Sequence, residues 1–209
     1  LGAGQTVASQ GMIHGGVKYT LSGMLSGASE AIADMPAHWR RCLNGEGDVD
    51  ISGAKILSDH FYMWSSASAL SKVTTFFASK ALRGRVDQLN PKEYPPAFQQ
   101  PGFKGSVYKL VDLVLDVPSL LARLARDAAI VAVDWQQARW QQGAETSLAL
   151  DSEHTIHANR WVLAAGLGNE ALLQSLGATG PAMQRRPLKQ VMVRHPELTP
   201  LYAHCVGTD

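Results

Sequence analysis

The spacing of apolar positions changes several times along the chain, and the changes predict a mixture of helices and strands. In residues 29–43, Ile32, Met35, Trp39 and Leu43 share one helical face with Pro36 interrupting, which predicts two short helices. A turn cluster at 44–48 follows, and residues 54–64 then read as a strand with Ile56, Phe61 and Met63 on mostly alternating positions. Its aromatic content suits a central sheet. Residues 66–82 predict a helix with Leu70, Val73, Phe76 and Phe77 inward and Gly84 as its stop. Pro91, Pro95, Pro96 and Pro101 forbid a continuous helix or ladder over 90–102, leaving a long loop or a linker between lobes.

Further on, residues 106–115 alternate as a strand, and Asp116 caps a helix that has Pro118 near its first turn and Leu120, Leu121, Leu124 and Ala128 as its buried stripe. Residues 130–135 read as the next strand. A meander of 139–140, 147–150 and 155–157, with a turn at Asp151 and Ser152, leads into the apolar strand Trp161, Val162 and Leu163. Residues 184–193, with Val191 and Val193 alternating, predict an outer strand. The fold class expected from this order is α/β, as an α+β mixture.

Composition narrows the picture mainly by exclusion. A chain of 209 residues that is 45% hydrophobic can bury a sizeable core, as one large domain or two small ones. A net charge of +1 from 19 basic and 18 acidic residues, without a basic run, gives no electrostatic case for nucleic acid or an anionic membrane. No apolar run approaches the roughly 20 residues that cross a bilayer. Cys42 and Cys205 lie far apart and without metal-ligand spacing, so a reduced, cytoplasmic setting is expected. His154, His157, His195 and His204 likewise lack ligand spacing, so no metal site is expected. Neither a nucleophile elbow nor a P-loop occurs. The five tryptophans line a pocket or pack the sheets.

Two segments carry candidate chemistry. In residues 160–169 an apolar strand stops at Ala164, Ala165, Gly166, Leu167 and Gly168 before a helical pattern begins at Glu170. Without a Cβ at Gly166 and Gly168, backbone N–H groups can approach a phosphate or ribose; the same glycines also serve simply to turn the chain. The second segment, residues 2–19, is rich in glycine and offers the amide and hydroxyl groups of Gln5, Thr6, Ser9 and Gln10, followed by Gly11, Met12, Ile13, His14, Gly15 and Gly16. His14 is either a donor or acceptor beside a ligand or a structural histidine satisfied by backbone. Arg185, Arg186 and Lys189 bind a substrate carboxylate or form a solvated edge.

Together, the Ile-His-Gly-Gly run at 13–16 and the Ala-Ala-Gly strand end at 164–166 resemble the FAD-dependent oxidoreductases of the D-amino-acid oxidase superfamily. The branch containing glycerol-3-phosphate dehydrogenases and 2-hydroxyglutarate oxidases looks closest. The resemblance spans most of the chain and implies a partial FAD-binding lobe plus a mixed-sheet substrate lobe. It divides the sequence into a flavin-contacting loop and helices (1–48), a first part of the substrate lobe (49–110), a partial FAD-binding lobe (111–180) and a second part of the substrate lobe (181–209).

The resemblance further implies FAD contacts from Gln5, Thr6, Ser9, Gln10, Gly11 and Met12, from Ala164, Ala165, Gly166, Leu167 and Gly168, and from a backbone position near Trp135 or Gln136 facing the adenine. His14 becomes the candidate catalytic base. The family pattern places Ser-Ser-Lys ahead of Leu-Ile-His-Gly-Gly, whereas Ser9, Gln10, Gly11 and Met12 stand here, so the basic position is lost.

The family's opening strand, G-x-G-x-x-G turn and acidic ribose partner have no counterpart in this sequence, nor has its closing strand and glycine-rich helix start. The expectation is an internal fragment, inactive alone, of an enzyme that passes hydride to flavin N5 from a small amino acid, hydroxy acid or polyol phosphate. The electron acceptor is left open. A catalytically silent interaction or regulatory module that kept the architecture is the alternative.

Overall fold

In a computed structural model the described residues are 2–17, 32–66, 85–143, 145–185, 187, 189, 191 and 193–206. In chain order the elements are β1 (Met12–Ile13), α1 (Met35–Leu43), β2 (Ile56–Ser58), β3 (Phe61–Ser65), β4 (Val86–Gln88), β5 (Ser106–Leu110), β6 (Leu113–Leu115), α2 (Val117–Ala125), β7 (Arg139–Gln141), β8 (Ser147–Ala149), β9 (Thr155–His157), α3 (Asn169–Ser175) and β10 (Ala203–Val206). The mixture of helix and sheet matches the expected fold class. The chain divides into two compact units, Leu1–Ala128 with Glu197–Asp209, and Ala129–Pro196.

The first unit contains two sheets. One has the order β1-β6-β2 and the other β10-β3-β5-β4. The sequence reads 54–64 and 106–115 as single strands, and each is instead split between the two sheets. Residues Ile56–Ser58 pair with β6 and Phe61–Ser65 pair with β5, so the hairpin partners break together, at Asp59-His60 and at Val111-Asp112. An unbroken apolar alternation is compatible with either arrangement, because a bend between sheets preserves local burial on both sides of it.

β3 is an internal strand, as its aromatics suggest. Phe61, Met63 and Ser65 are buried on one face. Met63, Tyr108 and Leu110 pack there with Val17, while Tyr62 and Trp64 on the other face pack against the cluster of Tyr94, Phe98 and Val107. The proline-rich stretch is therefore no linker. Its prolines open two single 3-10 turns, Pro91–Glu93 and Pro96–Phe98, which deliver Tyr94 and Phe98 into this core.

α1 begins at Met35 with Pro36 in its first turn, where the missing N–H costs nothing, so the proline starts this helix; the first of the two helices expected over 29–43 falls partly outside the described residues. Its Cys42 packs with Ile51 and Ala54 and against Trp39, Leu43 and Leu120. The Asp116 carboxylate caps α2 by accepting Ser119 N–H at 3.0 Å, as expected. The stripe on α2 differs from expectation: Val117 is buried, Leu120 and Leu121 are half-buried, and Leu124 is 47% exposed. The helix of 66–82 and the part of 29–43 before residue 32 lie outside the described residues, as does Arg186.

In the second unit β7, β8 and β9 form the expected antiparallel meander. The strands expected at 130–135 and 161–163, and at the described positions of 184–193, are absent. A strand needs an adjacent ladder, and none of the described segments pairs with these stretches. Ile130 is 58% exposed, Val162 86% and Val191 90%.

Candidate functional site

The loop ahead of His14 is shaped by close backbone packing. Gly11 has φ +67°, and a Cβ there would lie 2.0 Å from the carbonyl oxygen of Leu115. This contact lets Gly11 O accept Leu115 N–H at 2.9 Å, extending the pairing of β1 with β6. Gly11 thus has a structural duty whatever it contacts besides. Gln5, Thr6, Ser9 and Gln10 are exposed along the loop, and Met12 is half-buried in β1.

His14 follows β1 and meets a carboxylate distant in sequence. Asp112 Oδ2 lies 3.2 Å from His14 Nδ1, and Asp112 Oδ1 accepts Gly15 N–H at 3.0 Å. The Asp112 side chain is 3% exposed and that of His14 29%. A buried carboxylate is tolerated when donors surround it, and these two groups supply them. Gly15 allows the approach: a Cβ at that position would sit 3.2 Å from Asp112 Oδ1 and 3.3 Å from Pro36. His204 of β10 and Phe61 of β3 complete the surroundings. The His14 ring lies 5.7 Å from that of His204 and 5.9 Å edge-on from Phe61, which in turn meets His204 at 5.0 Å. Sequence reasoning singled out His14 and missed Asp112, because its only local signal is a polar residue interrupting an apolar run at 110–115.

The remaining candidates belong to the second unit. Ala164, Ala165, Gly166, Leu167 and Gly168 are all exposed, and Gly166–Gly168 form a 3-10 turn before α3. Asn169 fastens this turn, accepting Ala165 N–H at 2.7 Å and donating to Leu163 O at 3.0 Å. Trp135 and Gln136 are exposed in a turn where Asp134 already accepts Gln136 N–H at 2.9 Å. Trp140 connects the two places, 6.4 Å from Trp135 and 4.8 Å edge-on to Trp161. The helix before the Trp135 turn ends at Ala125, short of Ala128, the last residue expected in its buried stripe, and no strand lies between it and the turn.

Each group, taken by itself, offers chemistry of the kind a dinucleotide cofactor uses. A Cβ at Gly166, φ +55°, would meet nothing within 4 Å, so the backbone there is open to close approach. The loop over 5–10 presents exposed hydroxyl and amide groups suited to a polar ring edge. Arg185 pairs with Glu170 at 2.7 Å, so its guanidinium already has an anionic partner. No group of three or more metal-binding side chains gathers among the described residues. No described helix is long and apolar enough to cross a membrane.

No protein-family model matches the chain. A probable FAD-dependent oxidoreductase of Pseudomonas aeruginosa is 50% identical over 208 residues, 99% of this chain and 53% of that protein. The crystal structure of an FAD-dependent oxidoreductase from Pseudomonas aeruginosa superimposes with a TM-score of 0.75 at 41% identity, covering 100% of this chain and 50% of the other. Glycine oxidase from Geobacillus kaustophilus shares the fold, with a TM-score of 0.57 at 18% identity over 85% of this chain and 49% of its own. The chain spans about half the length of the proteins it matches. Over nearly all of its residues, this chain is related to an FAD-dependent oxidoreductase and corresponds to about half of one.

Proposed function

We propose that the chain is a segment of an FAD-dependent oxidoreductase that oxidises a small amino acid, hydroxy acid or polyol, within the D-amino-acid oxidase superfamily. The observation that carries the reading is the 50% identity maintained across 99% of the chain. In this reading Gln5, Thr6, Ser9, Gln10, Gly11 and Met12 hold the cofactor's polar ring, and Trp135, Gln136 and residues 164–168 hold its dinucleotide part. Oxidised FAD, when bound, supplies a two-electron acceptor for the substrate's C–H hydrogen and its electron pair.

The chain's own contribution is positioning and proton transfer. His14 accepts the proton of a donor hydroxyl, while an amine donor can lose its proton beforehand. Closing the site against water keeps that transfer directional. The exposed apolar side chains of Ile130, Val131, Val162 and Val193 have the character of buried strand residues, and the reading takes them to be covered in the whole protein.

The test is anaerobic mixing of the full-length protein with amino acids, 2-hydroxy acids and glycerol phosphate while the visible flavin band is followed. Stoichiometric FAD and bleaching by one class are expected. A full-length protein without flavin, or one that none of the three classes bleaches, would overturn the reading.

A further inference from the structure

We propose that Asp112 is the positioning residue for His14: it fixes the imidazole with its proton on Nδ1 and leaves Nε2 as the acceptor for substrate. This rests on the oxidoreductase reading for its consequence in turnover, although the Asp112–His14 relationship itself is a property of the fold. An ionised carboxylate only accepts hydrogen bonds, so the nitrogen 3.2 Å from Asp112 Oδ2 carries hydrogen. The other ring nitrogen is then the basic one.

Three features hold the carboxylate in place. Gly15 N–H donates to Oδ1 at 3.0 Å, which fixes the rotation of the carboxylate plane. Arg40 donates to the carbonyl of Val111 at 3.1 Å, anchoring the residue just before Asp112 where the chain leaves one sheet for the other. With a side chain 3% exposed, Asp112 meets little water that could compete for its oxygens. Phe61 and His204 flank the imidazole and restrict its tilt, and 29% of the His14 side chain stays exposed.

For a hydroxyl donor the balance is complete. The O–H proton passes to His14 Nε2, giving an imidazolium that Asp112 stabilises; the C–H hydrogen leaves with its electron pair to the oxidised flavin; the substrate becomes a carbonyl compound.

Asp112→Asn turns the geometry into a test. Gly15 N–H still requires an oxygen at the Oδ1 position, so the amide nitrogen is turned toward His14 Nδ1, where it donates and drives the ring to the Nε2–H form. In full-length protein labelled with 15N-histidine, the His14 resonances should report Nδ1–H in the wild type and Nε2–H in the variant. Where a hydroxy acid or polyol is the class that reduces the flavin, that reduction should slow by about 10²–10⁴-fold with FAD content retained, and where an amino acid is, the loss should be much smaller. A wild-type His14 without hydrogen on Nδ1 overturns the proposal, and that measurement stands even if the variant does not fold. An unchanged tautomer in the variant overturns it too, as does a loss of hydroxy-acid or polyol turnover no larger than the loss of bound FAD. If no substrate bleaches the wild-type flavin, the oxidoreductase reading fails while the resonances still decide the positioning of His14.

Discussion

Arg40 reaches across 71 positions of sequence to donate to the carbonyl of Val111 at 3.1 Å, and the same Nη2 donates to the carbonyl of Asp59 at 2.7 Å. The guanidinium, in the last turn of α1, thus holds both corners at which the paired strands bend from one sheet into the other. Replacing it with methionine keeps the apolar stem and removes both bonds. The expected cost is about 1–2 kcal/mol, reduced from the buried value because the contacts are solvent-accessible. Urea unfolding of the full-length protein measures it, and an unchanged midpoint would refute the stapling role.

Gly11→Ala should be far more damaging than Gly4→Ala. Both positions have positive φ, which costs an alanine roughly 1–2 kcal/mol. At Gly11 the added carbon also meets the Leu115 carbonyl, whereas at Gly4 nothing lies within 4 Å. The β1–β6 pairing would have to open. Amide exchange at Leu115, whose N–H bonds Gly11 O, is the readout; equal protection in the two variants would contradict this account.

Acid should weaken the protein through its exposed carboxylates. The hydroxyl and then the backbone N–H of Ser52 hold Asp50 below the usual carboxylate range, with Arg123 adding to the effect. His60 does the same for Asp59. A folded-state pKa below the unfolded one gives stability that is present above the unfolded value and lost as pH falls through the folded value, so the loss sets in below about pH 4. Asp50→Asn should flatten part of that acid limb. A slope identical to the wild type's would remove Asp50 from the explanation.

Trp161 and Trp140 should respond differently to phenylalanine. Trp161 Nε1–H donates to Thr146 O at 3.0 Å, while Trp140 Nε1 is buried with no hydrogen-bond partner among the described residues. Trp161→Phe should cost about 1 kcal/mol through the orphaned carbonyl, and Trp140→Phe less than that. The comparison is made on unfolding midpoints, and a reversed order would show that ring packing dominates.

Asn169→Ala frees both Ala165 N–H and Leu163 O, loosening the turn assigned to the dinucleotide. Loss of a net hydrogen bond or two should weaken FAD retention by about tenfold in the full-length protein. Titration of the apoprotein with FAD measures it. Unaltered affinity would remove residues 164–168 from the cofactor contacts.

Local chemistry in the sequence determined the features that need no distant partner: the Asp116 cap, the meander of 139–157, and His14 as the residue worth asking about. Each depends on periodicity or on neighbours a few residues away. Tertiary structure alone decided that 54–64 and 106–115 bend between two sheets and that the proline-rich stretch feeds the core. It alone brought Asp112 across 98 positions to His14. The reason is physical. An alternating apolar pattern records which side chains are buried and not which sheet buries them, and a lone aspartate in an apolar run carries no sign of the imidazole it will meet.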